Sequence, residues 1–261
     1  MLIDLPHVPD RPKKARDNGI TMVMDKGIGT LEAESMLSAA AECIDMVKFG
    51  FGTSLIAANT KEKIKLYKEA NIRPYLGGTL FEAFVIRNKF EDYLRLLDTF
   101  DLDLAEVSDG SMKMDEYEKL EYIQRLSKRA TVLSEVGSKQ KGILIPAKDW
   151  VQNMKSELDA GAWKVIGEAR ESGTVGIYSA DGTANKALIS SIINELDTKD
   201  ILWEAPDKNQ QIWFIQLLGP NVNLGNISPD TIIPLESLRL GLRGDTFMEF
   251  LPDELKKGRI Q

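Results

Sequence analysis

The sequence predicts a single (β/α)8 barrel preceded by an extended arm. Eight short apolar segments alternate with helical patterns at intervals of roughly 20 to 36 residues, which suits a barrel better than an open sheet. The chain has 261 residues, a usual length for one such barrel. No linker rich in proline, glycine or serine interrupts it. We therefore expect an N-terminal arm over 1–19 and one catalytic barrel domain over 20–261.

The arm is predicted from Pro6, Pro9 and Pro12, because proline disfavours a helix. The segments that follow it are predicted strands because they are short and apolar, as expected when both faces of a parallel sheet are covered. The predicted strands lie at 20–25, 44–49, 72–76, 104–107, the start of 132–139, 163–168, 201–204 and 222–227.

Helices are predicted between these strands from the spacing of apolar residues. In 115–130, for example, Leu120, Ile123 and Leu126 recur at intervals that place them on one helix face. The predicted helical segments occupy 30–42, 60–70, the stretch up to 100, 115–130, the stretch after 146, the stretch around 188–196, 210–218 and 235–240.

Composition excludes several classes of function. The net charge of −7 argues against a nucleic-acid partner. No apolar run is long enough to span a membrane. The single histidine, His7, lies in the arm and makes a Ser-His-Asp triad or a histidine-rich zinc site unexpected. The single cysteine, Cys43, excludes an internal disulfide framework and favours a cytoplasmic location.

Charged side chains follow most predicted strands at the point where the strand ends. In a barrel these ends meet at one mouth, where active sites lie. Cations at this mouth indicate an anionic substrate, and clustered oxygen acids indicate a divalent cation such as Mg²⁺. Internal ion pairs that fill the mouth are the alternative for any single residue. The expected rim residues are the cations Lys26, Lys48, Lys139 and Arg170, the acids Asp25, Glu106, Asp109, Glu135, Glu168, Glu171 and Glu204, and the amides Asn223 and Asn226.

Two glycine-containing segments are candidates for binding phosphate. The segment 50–54 lacks the Gly-Lys-Ser/Thr ending of a P-loop and is weak by itself. The segment 239–246 follows the last predicted strand, where barrels often bind phosphate, and offers two guanidiniums. Its alternative role is a C-terminal clasp that closes the barrel. The candidate anion-binding residues of the two segments are Thr53, Ser54, Arg239, Arg243 and Gly244.

Short blocks distributed in order along the chain carry a family resemblance. They are Asp-Lys-Gly at 25–27, Val-Lys-Phe-Gly at 47–50, Gly-Thr-Ser at 52–54, Gly-Gly-Thr-Leu at 77–80, Glu-Val-Ser-Asp-Gly at 106–110, Glu-Val-Gly at 135–137, Arg-Glu-Ser-Gly at 170–173, Glu-Ala-Pro at 204–206, Gln-Gln at 210–211, Val-Asn-Leu at 222–224 and the run 238–246. With these blocks the chain resembles the phosphosulfolactate synthases, or phosphoenolpyruvate–sulfite addition enzymes. It departs from them at 140–148 and is only loosely similar over 174–182.

The resemblance implies a barrel enzyme that depends on Mg²⁺ and adds sulfite to phosphoenolpyruvate, giving 2-phospho-3-sulfolactate. It further implies a lyase of sulfonate biosynthesis, such as that of coenzyme M, and makes a homo-oligomer expected. The family also includes heat-stress-associated plant members, so a catalytically silent binding protein is one alternative. A barrel aldolase that uses Lys139 as a Schiff-base nucleophile is another.

The implied reaction suggests roles for the rim residues, which we state as hypotheses. Attack of sulfite on C3 moves negative charge onto the carboxylate, which a metal and fixed cations can stabilise. C2 then needs a proton, and lysine is the best general acid in a chain with one histidine. The catalytic candidates are Lys139 as the acid, Lys48 as its rival, and Lys26. The metal candidates are Glu106, Glu135, Glu168 and Asp109, and the substrate-binding candidates are Arg170, Arg239, Arg243, Thr53, Ser54, Asn223 and Gly244.

Overall fold

Eight parallel strands form a nearly closed barrel with helices between them, as the sequence predicts. The computed structural model describes residues 5–138, 145–169 and 172–258. The strands are β1 (Thr21–Asp25), β2 (Met46–Phe49), β3 (Arg73–Leu76), β4 (Leu104–Val107), β5 (Thr131–Val136), β6 (Lys164–Gly167), β7 (Ile201–Glu204) and β8 (Leu224–Ile227). The helices are α1 (Thr30–Ala40), α2 (Thr60–Glu69), α3 (Gly78–Val85), α4 (Phe90–Thr99), α5 (Glu116–Ser127), α6 (Ala147–Asp159), α7 (Lys186–Ile193), α8 (Lys208–Leu218), α9 (Ile232–Arg239) and α10 (Asp253–Lys256).

Backbone pairing joins the strands in the order β3-β2-β1-β8-β7-β6-β5-β4. The seam between β3 and β4 is bridged at both ends by side chains. At the amino end, Arg73 donates to the carbonyl oxygen of Asp103 at 3.1 Å. At the carboxyl end, the amide of Gly78 donates to Oε1 of Glu106 at 2.5 Å. These hydrogen bonds link β3 to β4, the two strands at the ends of the backbone-paired order, and so help to close the barrel.

Apolar residues fill the barrel on both sides of the sheet. The larger cluster lies between the strands and the surrounding helices. Burial of one such aliphatic side chain contributes about 1.5–3 kcal/mol, so this layer provides most of the drive for folding. A smaller cluster fills the interior of the barrel and closes the floor beneath the mouth; it comprises Ile20, Met22, Met46, Tyr75, Leu104, Leu133, Ile166 and Leu202.

The N-terminal arm is fastened to the amino end of the barrel. Arg11 donates to the carbonyl oxygen of Gly19 at 2.9 Å and pairs with Glu236 of α9 at 2.9 Å. Lys14 donates to the carbonyl oxygen of Ala41 at 2.7 Å. Lys14 therefore satisfies a carbonyl group at the end of α1, where cations are favoured.

Strand β8 contains one extra residue relative to β1. Thr21 pairs with Leu224 and Val23 pairs with Ile227, so three steps along β8 match two along β1. Asn226 lies within this bulge and has a left-handed φ of 57°. Asparagine tolerates this backbone region better than most residues, and bulges at barrel rims redirect side chains.

Candidate active site

A cavity of about 410 Å³ opens at the carboxyl ends of the strands. Six polar side chains line this cavity, each from a different strand or the residue just after it, as predicted for strand ends that meet at one mouth. Because parallel strands place these ends at one edge, residues far apart in sequence become neighbours. The six are Lys48, Glu106, Glu135, Glu168, Glu204 and Asn226.

Lys48 is the central cation among the described residues of this cavity. Its Nζ lies 3.1 Å from Oε1 of Glu106, 3.2 Å from Oε1 of Glu204 and 3.6 Å from Oε2 of Glu135. Burial opposes its charge, but Glu106 and Glu204 outweigh burial and raise the pKa of Lys48 well above its ordinary value. The amine is therefore an ammonium at neutral pH.

Three buried carboxylates form a candidate metal centre. Each of Glu135, Glu168 and Glu204 offers an oxygen, and these oxygens lie within 4.8 Å of one another. Burial, and then the neighbouring Glu135, raise the pKa of Glu204 above its ordinary value, while Lys48 opposes that rise. A cation shared by the three would relieve this repulsion. Hard oxygen donors of this kind fit Mg²⁺.

Two of the four predicted metal ligands belong to this group of three carboxylates, whereas Glu106, which lines the same cavity, and Asp109 do not. Glu106 accepts from Gly78 and pairs with Lys48 through the same oxygen. Asp109 points to Lys119, whose Nζ lies 2.8 Å from its Oδ1. The geometry therefore favours Glu204 over Glu106 and Asp109 as the partner of Glu135 and Glu168.

Neighbouring groups hold Glu135 in place from two directions. The hydroxyl of Ser108 lies 2.8 Å from Oε1 of Glu135 and 2.6 Å from Oε1 of Glu82. Lys119 donates to the backbone carbonyl oxygen of Glu135 at 2.7 Å and pairs with Glu157 at 2.8 Å. Such supporting contacts fix the orientation of a potential metal ligand.

Two predicted substrate-binding residues lie at the opposite end of the barrel. Asn223 precedes β8 and donates to the carbonyl oxygens of Lys199 and Ile201 at 2.9 and 3.0 Å. Arg239 is fully buried and donates to the carbonyl oxygen of Val222 at 2.7 Å. The prediction that both residues lie at the mouth is therefore wrong. Helix α9 separates Arg239 from the carboxyl end of β8, and Asn223 precedes that strand.

The remaining predicted residues within the described part of the chain are not among those that line the cavity. Arg243 pairs with Asp245 at 3.3 Å, and the adjacent Gly244 is exposed. Thr53 donates to the carbonyl oxygen of Gly50 at 2.8 Å. Ser54, Lys26 and Asp25 complete the set: Ser54 is buried, Lys26 is exposed just after β1, and Asp25 accepts from Lys63 at 2.6 Å.

Lys139, Arg170 and Glu171 lie outside the described residues, so their predicted roles stay predictions. The structure adds three groups to which sequence reasoning gave no catalytic, metal-binding or substrate-binding role, although it placed two of them at the rim. Glu204 and Asn226 had the signal of a polar residue at a strand end, but nothing ranked them above their neighbours. Glu82 had no signal of its own, because its contact with Ser108 depends on tertiary packing.

Comparison with known proteins identifies the family. A family model described as (2R)-phospho-3-sulfolactate synthase (ComA) matches residues 9–245. A phosphosulfolactate synthase from Bacillus subtilis is 41% identical over 243 residues, covering 92% of this chain and 96% of the relative. One from Methanothermobacter thermautotrophicus is 40% identical over 244 residues, covering 91% of this chain and 95% of the relative.

Solved structures agree on the architecture. A 3-hexulose-6-phosphate synthase from Salmonella typhimurium superposes with a TM-score of 0.54 at 14% sequence identity, covering 85% of this chain and 98% of that one. This likeness shows the barrel fold alone. The cavity at the strand ends and the sequence match over residues 9–245 together place the chain in the (2R)-phospho-3-sulfolactate synthase family.

Proposed function

We propose that this protein is a lyase that adds sulfite to C3 of phosphoenolpyruvate and forms 2-phospho-3-sulfolactate. The observation that carries the proposal is the juxtaposition of one ammonium, Lys48, with the buried group Glu135, Glu168 and Glu204 in a single cavity. Membership in the family supports the choice of substrates.

The charge balance of the cavity supports a bound divalent cation. Among its described lining residues, four carboxylates face one ammonium, so the cavity carries an excess of negative charge. Phosphoenolpyruvate and sulfite are both anions and would be repelled by it. Mg²⁺ held by Glu135, Glu168 and Glu204 would offset most of this negative excess and weaken the repulsion, and when bound it supplies Lewis-acid stabilisation to the substrate carboxylate.

The chain's own residues orient the substrate and move one proton. The sulfur lone pair of sulfite forms the bond to C3, and the electrons of the C2–C3 double bond pass to the carboxylate as an aci-carboxylate. C2 then takes a proton from a lysine ammonium, which regains it from solvent. Lys139 remains the proposed donor, and Lys48 is the rival because its ammonium faces the cavity.

The two lysines are separable by mutation. If Lys139 is the donor, Lys139→Ala binds phosphoenolpyruvate but loses turnover by about 10²–10⁴-fold. Binding is measured by calorimetry and turnover by product formation. Full turnover in a folded Lys139→Ala variant would transfer the role to Lys48. Arg170 is the proposed contact for the phosphate or sulfite charge, and Lys26 stays a catalytic candidate.

The decisive experiment is incubation of the protein with Mg²⁺, sulfite and phosphoenolpyruvate, followed by mass spectrometry for a sulfonated phosphoester. We expect product with the wild type and with Glu195→Gln, an exposed control. We expect none with Glu168→Gln, which changes one charge at the candidate metal centre. Absence of product with the wild type would favour the silent, stress-associated or binding alternative.

The aldolase alternative predicts a different chemical result. A Schiff-base enzyme is trapped covalently by borohydride in the presence of a carbonyl substrate, whereas the addition reaction needs no imine.

Three further expectations stay predictions: use of the product in the synthesis of coenzyme M or another sulfonate, a cytoplasmic location and a homo-oligomeric state. No helix in the described part of the chain has the length and apolar content to cross a membrane.

A further inference from the structure

Asn226 combines three features that the fold by itself does not require. It lies in the β8 bulge with a left-handed φ of 57°. Its side chain lines the cavity although the residue is only 6% exposed. Its Oδ1 receives no hydrogen bond from any described residue.

An unsatisfied buried acceptor and a left-handed backbone are each unfavourable, and here they coincide at one residue. A glycine would remove both at once, since it has no side chain and adopts positive φ without strain. The presence of asparagine therefore indicates that its amide meets a group outside the described residues.

The surroundings of Asn226 indicate that this group is a cation. Gly225, the residue before it, is the register partner of Glu204, so Asn226 lies on the strand next to one member of the carboxylate group and lines the same cavity. Carboxylates accept hydrogen bonds and cannot donate to Oδ1. A divalent cation satisfies both kinds of oxygen, and amide oxygens are established ligands for hard cations.

We propose that Asn226 ligates, through Oδ1, the same divalent cation that Glu135, Glu168 and Glu204 hold. Four consecutive strands, β5 to β8, would then each provide one oxygen donor at or just beyond the carboxyl end. The inference rests on the proposed function only for the presence of the cation. It adds a neutral ligand to an otherwise anionic set.

The test measures cation binding without substrate. Mn²⁺, a stand-in for Mg²⁺ with a paramagnetic signal, is titrated into the full chain and followed by electron paramagnetic resonance. Asn226→Gly removes the ligand and relaxes the backbone, so we expect binding to weaken by at least about 10-fold. Asn226→Asp restores an oxygen with a charge, and we expect binding at least as tight as in the wild type.

A matched control is available at Asn88, an exposed residue with a φ of 55° outside the cavity. Asn88→Gly relaxes the same backbone conformation, and we expect it to leave Mn²⁺ binding unchanged. Unchanged binding in Asn226→Gly would overturn the proposal. If Asn226→Gly fails to fold, weaker binding in Asn226→Asp than in the wild type overturns it.

Parallel assays of product formation separate this inference from the proposed function. Product from the wild type, together with unchanged Mn²⁺ binding by Asn226→Gly, would reject the ligand and leave the activity standing. No product from the wild type, together with weakened Mn²⁺ binding by Asn226→Gly, would support the ligand and reject the activity. A wild type that binds no Mn²⁺ overturns the inference, whatever the assay shows.

Discussion

The amide of Gly78 donates to Oε1 of Glu106 with an N···O distance of 2.5 Å, which joins the start of α3 to β4 across the barrel seam. A β-carbon on Gly78 would lie 2.8 Å from that oxygen and would overlap Ser108. We expect Gly78→Ala to lower the free energy of unfolding by about 1–3 kcal/mol and to reduce turnover. Chemical denaturation and the product assay measure both.

Gly29→Ala is the control for this change, because a β-carbon there has open space and φ is −70°. Equal stability and activity in the two alanine variants would mean that the seam adjusts without strain.

Removal of the Lys48 ammonium tests the electrostatics of the cavity. Lys48→Met leaves Glu106, Glu135 and Glu204 without their shared cation, and we expect turnover to fall by about 10²–10⁴-fold. The exposed Lys61→Met serves as the control in the same assay. Turnover that survives in Lys48→Met would show that its ion pairs only fill the mouth.

The ion pairs of Lys119 with Asp109 and Glu157 should stabilise the fold at neutral pH and lose this effect at alkaline pH. Burial disfavours its charge, but Glu157 and Asp109 outweigh burial and raise the pKa of Lys119 above its ordinary value of 10.5. A raised pKa means that the contribution is complete below pH 10.5 and declines as the pH rises toward the folded-state value. Lys119→Met leaves the buried carboxylate of Glu157 and the partly exposed one of Asp109 without their shared cation, so we expect a loss of about 3–5 kcal/mol at pH 8.

Urea denaturation of the wild type and Lys119→Met at several pH values measures this contribution. The difference in unfolding free energy should be constant up to about pH 10 and shrink above it. A difference that does not change with pH would place the effect of the mutation in packing rather than in charge.

Arg239 should stabilise the fold without binding substrate. Burial lowers its pKa to about 9, and its guanidinium donates to the carbonyl oxygens of Pro220, Val222 and Ile20. Arg239→Met leaves these oxygens unsatisfied, and we expect a loss of about 3–5 kcal/mol of stability with unchanged affinity for phosphoenolpyruvate. Thermal melting and calorimetry on the folded protein test the two parts.

Arg243→Ala provides the comparison for Arg239, since Arg243 makes a half-exposed pair with Asp245. Exposed pairs contribute about 0–1 kcal/mol, so we expect little change in stability. A large loss of substrate affinity in either variant would restore the interpretation of 239–246 as a phosphate site.

The order of strands and helices followed from sequence because each strand is an apolar run that ends in polar residues. The same logic brought Lys48, Glu135 and Glu168 into one cavity, since the carboxyl ends of parallel strands must share an edge. It did not distinguish Asn223 from Asn226. The two are three residues apart, and only the true start of β8 places them at opposite ends of the barrel.

Arg239 shows a second limit of the sequence. Its position after the last strand indicated the mouth, but α9 carries the chain back along the barrel before Arg239 is reached. The exclusion of Asp109 from the carboxylate group also depends on a distant residue, because Lys119 holds its side chain through an ion pair. The local sequence does not indicate with which distant residue a charged side chain forms an ion pair.

The anchoring of Arg11 on Glu236 has a consequence for how the chain is made. The two residues are 225 positions apart, so the first basic group emerges from the ribosome long before its partner does. β1 must likewise wait for β8 to complete its hydrogen bonds. The barrel of the nascent chain therefore cannot close until β8 has been translated, and until then one edge of β1 stays unpaired and needs protection.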